Sequence, residues 1–146
     1  KLSDLGADLL VKAVDAIDEG KAQFIEQAET GATFTTKLKK EDGKIEWERP
    51  AANIDNKVKA FYGWPGTFSL LNGRVIKIWV TEAADLPARE DSAPGQIAEI
   101  DNKGITVACG DGFLRIKELQ AEGGKRMKAS AYVLGNKVAI GDRFVK

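Results

Sequence analysis

The segment of residues 58–79 constrains the fold more than any other part of this sequence. It reads VKAFYGWPGTFSLLNGRVIKIW, with an Asn72-Gly73 pair between two runs rich in apolar and β-branched residues. Asn-Gly is a preferred sequence for the tight turn that joins two antiparallel strands. We therefore predict a hairpin of residues 67–71 and 74–81, and a fold built around an antiparallel sheet.

The residues on either side of this hairpin complete the expected fold. A helix is predicted from Pro50 to about residue 61, because proline favours the first helical position and Gly63 can end the helix. Further strands are predicted at 96–100, 105–109, 113–119 and 142–145, with a short helix near 127–134. About five short strands with flanking helices predict a mainly β fold with helices, a small closed barrel of OB type or close to it.

The N-terminal part of the chain has a different character. Leu5, Leu9, Ala13 and Ile17 recur every four residues and predict an amphipathic helix over residues 3–19. No later segment offers an obvious partner for this apolar stripe, so we expect the helix to dock on another chain or to fray. The polar residues 21–49 predict a connector, with a short strand at 33–38.

The composition excludes several classes of function. The chain has no histidine and one cysteine, which removes Ser-His and Cys-His nucleophile pairs, disulfide frameworks and most zinc sites. No apolar run is long enough to span a membrane, and the start of the chain does not have the pattern of a secretory signal. The net charge is zero, but residues 1–30 hold three lysines and seven acidic residues, so residues 31–146 are mildly basic.

Four aromatic side chains near the predicted helix end and hairpin have two interpretations. Phe61, Trp64, Phe68 and Trp79 could form a stacking platform for bases. Alternatively, Phe61 and Trp64 plug one end of the barrel, which we favour because Phe61 lies on the apolar face of the predicted helix.

Basic residues occur in three short clusters, which can neutralise phosphates or simply cover the surface of a barrel. The first cluster lies in the connector, the second on a predicted strand and the third beside the predicted C-terminal helix. They are Lys37, Lys39 and Lys40, then Arg115 and Lys117, then Lys125, Arg126 and Lys128. From the residues alone, an RNA-binding domain and a structural domain that positions a missing catalytic one both remain open. The acidic loop 85–92 matches no metal-ligand pattern.

Several stretches, read together and in order, resemble the C-terminal portion of methionyl-tRNA formyltransferases. They are SDLGADLLVKAVDAI (3–17), KLKKEDGKIEW (37–47), VKAFYGWPGTF (58–68), APGQI (93–97), GITVACGDGFLRIKELQ (104–120) and GGKRMKASAYVLGN (123–136). Two positions depart from the family pattern. Tyr62-Gly63 stands where the family usually has Asn-Pro, and Lys59 replaces the usual arginine, which keeps the charge but loses the planar fork.

The resemblance implies three segments in the chain and a separate role for each domain of the intact protein. Residues 1–20 would be the last helix of an N-terminal catalytic domain, 21–49 a linker and 50–146 a tRNA-binding barrel. In this family the N-terminal domain transfers a formyl group from 10-formyl-tetrahydrofolate, and the barrel helps to hold initiator methionyl-tRNA. The catalytic residues would lie upstream, so we expect no catalytic residue, metal or cofactor in this chain and no activity of the chain alone.

The resemblance also implies which residues contact tRNA, which partners the chain has and where the protein is located. The eight basic residues above would contact tRNA, and the missing catalytic domain would be a second partner. The expected location is the bacterial cytosol, with an organelle matrix as the alternative. Two other functions stay open: the C-terminal domain of another folate-dependent formyltransferase or hydrolase, acting on a sugar nucleotide or formyl-folate, and a spacer without RNA contact.

Overall fold

The computed structural model describes residues 1–26, 28–86 and 92–145, and it divides the chain into two compact units. The first unit covers Lys1–Thr36 and the second covers Lys37–Lys146. The linker boundary predicted between residues 49 and 50 differs from this division. Residues 37–49 belong with the barrel, because Ile45 and Trp47 are buried in its core.

The first unit contains one helix, α1, at Leu2–Asp18. The amphipathic pattern therefore predicted the helix to within one residue at each end. Gly20 follows it with a φ of +67°, and Lys21 N–H donates to Ala16 O at 2.8 Å, which closes the helix end. No residue of α1 is buried, so its leucine stripe is exposed.

The strand predicted at 33–38 is not formed. Residues 32–39 are exposed and have no regular secondary structure. β-branched and aromatic residues favour a strand only where their side chains pack against neighbours on a sheet. Phe34, which is 95% exposed, has no such neighbours.

The second unit begins with a short 3₁₀ turn at Lys40–Gly43 and the helix α2 at Ala51–Ala60. An antiparallel sheet follows. Its strands are β1 (Thr67–Leu71), β2 (Arg74–Ala84), β3 (Ile97–Asp101), β4 (Gly104–Ala108), β5 (Phe113–Ala121), β6 (Met127–Lys128) and β7 (Phe144–Val145), and the helix α3 (Ala129–Gly135) lies between β6 and β7 in the sequence. The strands are ordered β3-β4-β5-β2-β1-β7 across the sheet, with β6 paired to β5.

This sheet curls into a half-barrel, and its two outer strands are joined by backbone hydrogen bonds. Ile97 N–H donates to Asp142 O and Phe144 N–H donates to Gly95 O, both at 2.8 Å. The predicted class, mainly β with helices, is confirmed, with 32% of the structure in strands and 27% in helices. The sheet has seven strands among the described residues rather than about five. The strand that was not predicted is β6, whose two residues lie at the start of the predicted C-terminal helix.

The predicted hairpin is confirmed in its register. Leu71 pairs with Arg74 across the turn, and Asn72 and Gly73 have φ values of +50° and +76°, as a type I′ turn requires. β2 then continues to Ala84 and carries β-bulges between Ile78 and Thr81. The hairpin thus supplies both the inner wall of the barrel and an outward face that bears Phe68, Lys77 and Trp79.

The barrel end is sealed by Trp47 and not by Trp64, which corrects the plug interpretation. Trp47 is 2% exposed, lies 5.4 Å from the Phe144 ring and donates from Nε1 to Ser69 Oγ at 3.0 Å. Trp64 is 61% exposed and Phe61 is half-buried. Trp64 therefore lies on the surface, and Trp47 is the tryptophan of the core.

Candidate nucleic-acid interface

A groove of about 610 Å³ lies on the outer side of the β1–β2 hairpin. Its walls come from the Lys40–Gly43 turn, the corner at residues 63–66, the outward face of the hairpin and the end of β5. Close backbone packing holds the turn against the corner, because a side chain at Gly43 would meet Gly66 O. Ile45 N–H donates to Phe68 O at 3.0 Å, which fixes the same segment to β1.

Five of the eight basic residues predicted as tRNA contacts are exposed and form no ion pair with any residue that the structure describes. They are Lys37, Lys39, Lys40, Lys125 and Lys128. Lys40 lines the groove on one side, and Lys125 follows two residues after Gly123, which lines it on the other. Two of the predicted basic clusters therefore flank one groove.

Arg115 has a different environment. Its side chain is 15% exposed, and its guanidinium lies 3.5 Å from Glu99, 3.6 Å from Asp101 and 3.9 Å from Glu82. Lys117 pairs with Glu82 at 3.0 Å. The structure therefore places these two residues on an acidic part of the barrel surface, where neighbouring carboxylates already neutralise them.

Arg126 is also engaged, but beside the groove. It donates to Glu118 Oε2 at 2.6 Å and to the Tyr62 hydroxyl at 2.9 Å. The hydrogen bonds to Tyr62 and Glu118 raise the pKa of Arg126 above its usual value, so the guanidinium stays charged. Its central carbon lies 5.0 Å from the Trp79 ring centroid and 5.6 Å from that of Tyr62, at cation–π distance.

Lys44 and Lys77 also line the groove, although neither was predicted as a site residue. Both are exposed. Lys77 and Trp79 are two residues apart on β2 and share its outward face. Their common position in the groove depends on the fold of the turn, which no local pattern showed.

The site offers binding groups rather than an acid–base pair. The one cysteine, Cys109, is buried, and burial raises the pKa of its thiol to about 12, so it is not a nucleophile near neutral pH. Asp55 is buried but accepts from Thr81 Oγ1 at 2.7 Å and pairs with Lys59, which satisfies it structurally. Among the described residues no acidic or cysteine cluster could hold a metal ion; residues 87–91 of the acidic loop lie outside that range.

No helix in the described part of the chain combines the length and the apolar character that crossing a bilayer requires. The fold and the site together define a curled antiparallel domain with a basic, aromatic-lined groove. Residues 37–137 match the family model of the formyl transferase C-terminal domain, and the chain belongs to that family. The resemblance drawn from the quoted sequence stretches is thereby confirmed.

Curated relatives cover nearly the whole chain. The chain is 39% identical over 145 residues to the methionyl-tRNA formyltransferase of Paraburkholderia phymatum. This alignment covers 99% of the chain and 44% of that protein. The methionyl-tRNA formyltransferase of Methylobacillus flagellatus is 40% identical over 144 residues, with 98% and 45% covered. The chain thus spans less than half the length of these relatives.

Solved structures support the fold. The crystal structure of HypX from Aquifex aeolicus in complex with tetrahydrofolic acid has a TM-score of 0.56 and 18% identity, over 92% of this chain and 26% of that one. A HypX variant structure gives a TM-score of 0.57 at 19% identity, over 88% of this chain and 22% of that one. At this identity the likeness concerns the fold alone.

Proposed function

We propose that this chain is the C-terminal portion of a methionyl-tRNA formyltransferase and that it docks initiator methionyl-tRNA through the basic segments beside its groove. The intact protein would transfer the formyl group of 10-formyl-tetrahydrofolate to the methionyl amino group. The relatives' names support the reaction. The observation that carries the docking role is the pair of unneutralised lysine segments on opposite sides of one groove.

The catalytic groups in this proposal belong to a domain that precedes residue 1. The exposed apolar stripe of α1 fits a helix that packs on that domain, and residues 21–36 would connect it to the barrel. The chain alone would bind tRNA without formylating it, and would need no metal or bound cofactor. A bacterial cytosol is the proposed location, since the substrate is an initiator tRNA.

The mechanism of docking is electrostatic. Exposed lysines that touch phosphates displace condensed counterions, so the logarithm of the affinity falls linearly with the logarithm of the salt concentration. The slope rises with the number of phosphates neutralised. Lysines without carboxylate partners can make this contact at no cost in broken ion pairs, whereas Arg115 and Lys117 cannot.

Binding of the chain to initiator tRNA at several salt concentrations tests the proposal. The variant Lys37→Gln/Lys39→Gln/Lys40→Gln should bind more weakly and show a shallower salt slope, by about one unit for each lost phosphate contact. The matched control is Lys117→Gln, which removes a charge already paired with Glu82 and should leave the slope unchanged.

An elongator tRNA should bind similarly, because phosphate contacts carry no sequence information. Absence of tRNA binding by the wild-type chain at low salt would contradict the docking role and favour a spacer. If the control variant and the triple variant lose tRNA affinity equally, the lysines proposed here are not the ones that contact tRNA.

A further inference from the structure

The groove beside the hairpin carries aromatic rings as well as cations. Phe68 on β1 and Trp79 on β2 both point outward and are half-buried, while Thr67 and Ile78 beside them point into the barrel. Phe68 pairs across the hairpin with Lys77, and Trp79 follows Lys77 by two residues on the same strand. The same face therefore presents flat apolar surfaces and a positive charge.

The Trp79 ring is held in place before any ligand arrives. Its Nε1 donates to Gln120 Oε1 at 3.2 Å, and Tyr62 contacts it edge-on at 5.8 Å with an interplanar angle of 74°. Arg126 lies over it, although neither Tyr62 nor Arg126 lines the groove. Trp79 is also the residue at which β2 bulges, and bulges often re-aim a side chain beside a binding site.

The charge and the size of the groove favour one kind of ligand. Lys40, Lys44 and Lys77 line it, against Glu41 and Glu122. A volume of about 610 Å³ lies in the range of small-molecule sites. Rings with adjacent lysines match a nucleotide, since every base has a π face that stacks on an aromatic ring and every nucleotide carries a phosphate.

We propose that this groove binds an unpaired nucleotide of the docked RNA, with the base stacked at Trp79 and the phosphate near Lys77 and Lys40. The inference rests on the proposed function, because it requires that the chain binds RNA. Base stacking in the groove would be a second mode of RNA contact, in addition to the phosphate contacts of the surrounding lysines. Phosphate contacts hold a duplex or a single strand alike, whereas the groove selects a base that is free to leave its stack.

A short single-stranded adenine oligoribonucleotide tests the site, with a blunt RNA duplex of the same length for comparison. In a Trp64→Phe background, the oligonucleotide should quench tryptophan fluorescence, because Trp47 is buried and Trp79 then dominates the accessible signal. Trp79→Leu should weaken the binding of the oligonucleotide about tenfold, which is the effect of losing one stacked base. Trp79→Phe should recover part of the affinity, which a purely structural role would not predict.

The matched control is Trp64→Leu, which removes an exposed tryptophan outside the groove lining and should leave affinity unchanged. Circular dichroism establishes that each variant is folded. If Trp79→Leu is folded and binds the oligonucleotide normally, or if the duplex quenches fluorescence equally, the stacking site is refuted. The docking role stands in that case if the lysine variant still weakens tRNA binding, and both proposals fail if the wild-type chain binds no RNA.

Discussion

Replacing Trp47 should destabilise the barrel far more than replacing Trp64, although both residues lie in stretches that resemble the same family. Trp47 is 2% exposed, contacts Phe144 and donates its indole N–H to Ser69, whereas Trp64 is 61% exposed. Truncating a buried tryptophan removes its transfer free energy and leaves a cavity, for a loss of about 3–5 kcal/mol. Truncating an exposed one should change stability by about 0.5 kcal/mol or less.

Urea unfolding, followed by far-UV circular dichroism, measures this difference. Because a domain of this size is stable by about 5–15 kcal/mol, Trp47→Ala can leave little folded protein. Trp47→Phe is therefore the second variant; it keeps most of the apolar volume but loses the indole donor, at a cost of about 1–2 kcal/mol. Equal costs for Trp47→Ala and Trp64→Ala would refute the assignment of Trp47 as the seal of the barrel.

Three further predictions concern the core. Thr81→Val removes the hydroxyl donor from the buried Asp55 carboxylate and should lower the free energy of unfolding by about 1–3 kcal/mol. Gly110→Ala should lower the melting temperature strongly, because a Cβ at this position would overlap Glu48 O. Cys109 should resist thiol reagents at neutral pH until urea unfolds the protein. Since folding raises its pKa from 9.0 to about 12, the contribution of Cys109 to the free energy of unfolding should be constant below pH 9 and should be lost as the pH rises through that interval, as an alkaline unfolding series can show.

The elements that the sequence predicted well are those with local signals. The Asn72-Gly73 turn specifies its own dihedral angles, so the hairpin register followed from two residues. The four-residue spacing of apolar residues in α1 likewise depends on no distant partner. Closure of the barrel does depend on distant partners, because Gly95 and Phe144 meet across the fold.

The choice of the sealing aromatic could not be made from local pattern. Trp47 precedes α2 and Trp64 follows it at a similar distance in sequence, and each lies beside a turn. Only the packing of Ile45 and Trp47 beneath β1 decides which of them enters the core. The same packing moves residues 37–49 from a linker into the barrel.

Packing between distant segments also decides which of the predicted basic residues are paired with carboxylates and which are not. Arg115 looked equivalent to the lysines, but its three carboxylate neighbours come from β2, which pairs with β5, and from β3, which lies one strand further away beyond β4. Sequence analysis counts charges along the chain, whereas neutralisation depends on strands that are distant in sequence. Lys37, Lys39, Lys40 and Lys125 therefore lie outside the strands and form no ion pair with a described residue, whereas both basic residues on β5 are paired with carboxylates.

The hairpin shows how one element can serve both stability and binding. Its inward residues, Ile76 and Ile78, are fully buried, while its outward residues keep two aromatic rings partly in water. Leaving Trp79 half-buried forgoes part of the stabilisation that burying its ring would give. Its contacts with Tyr62, Gln120 and Arg126 hold the ring in one orientation without covering the groove. An oriented ring that is left partly open to the groove is what the proposed stacking site requires.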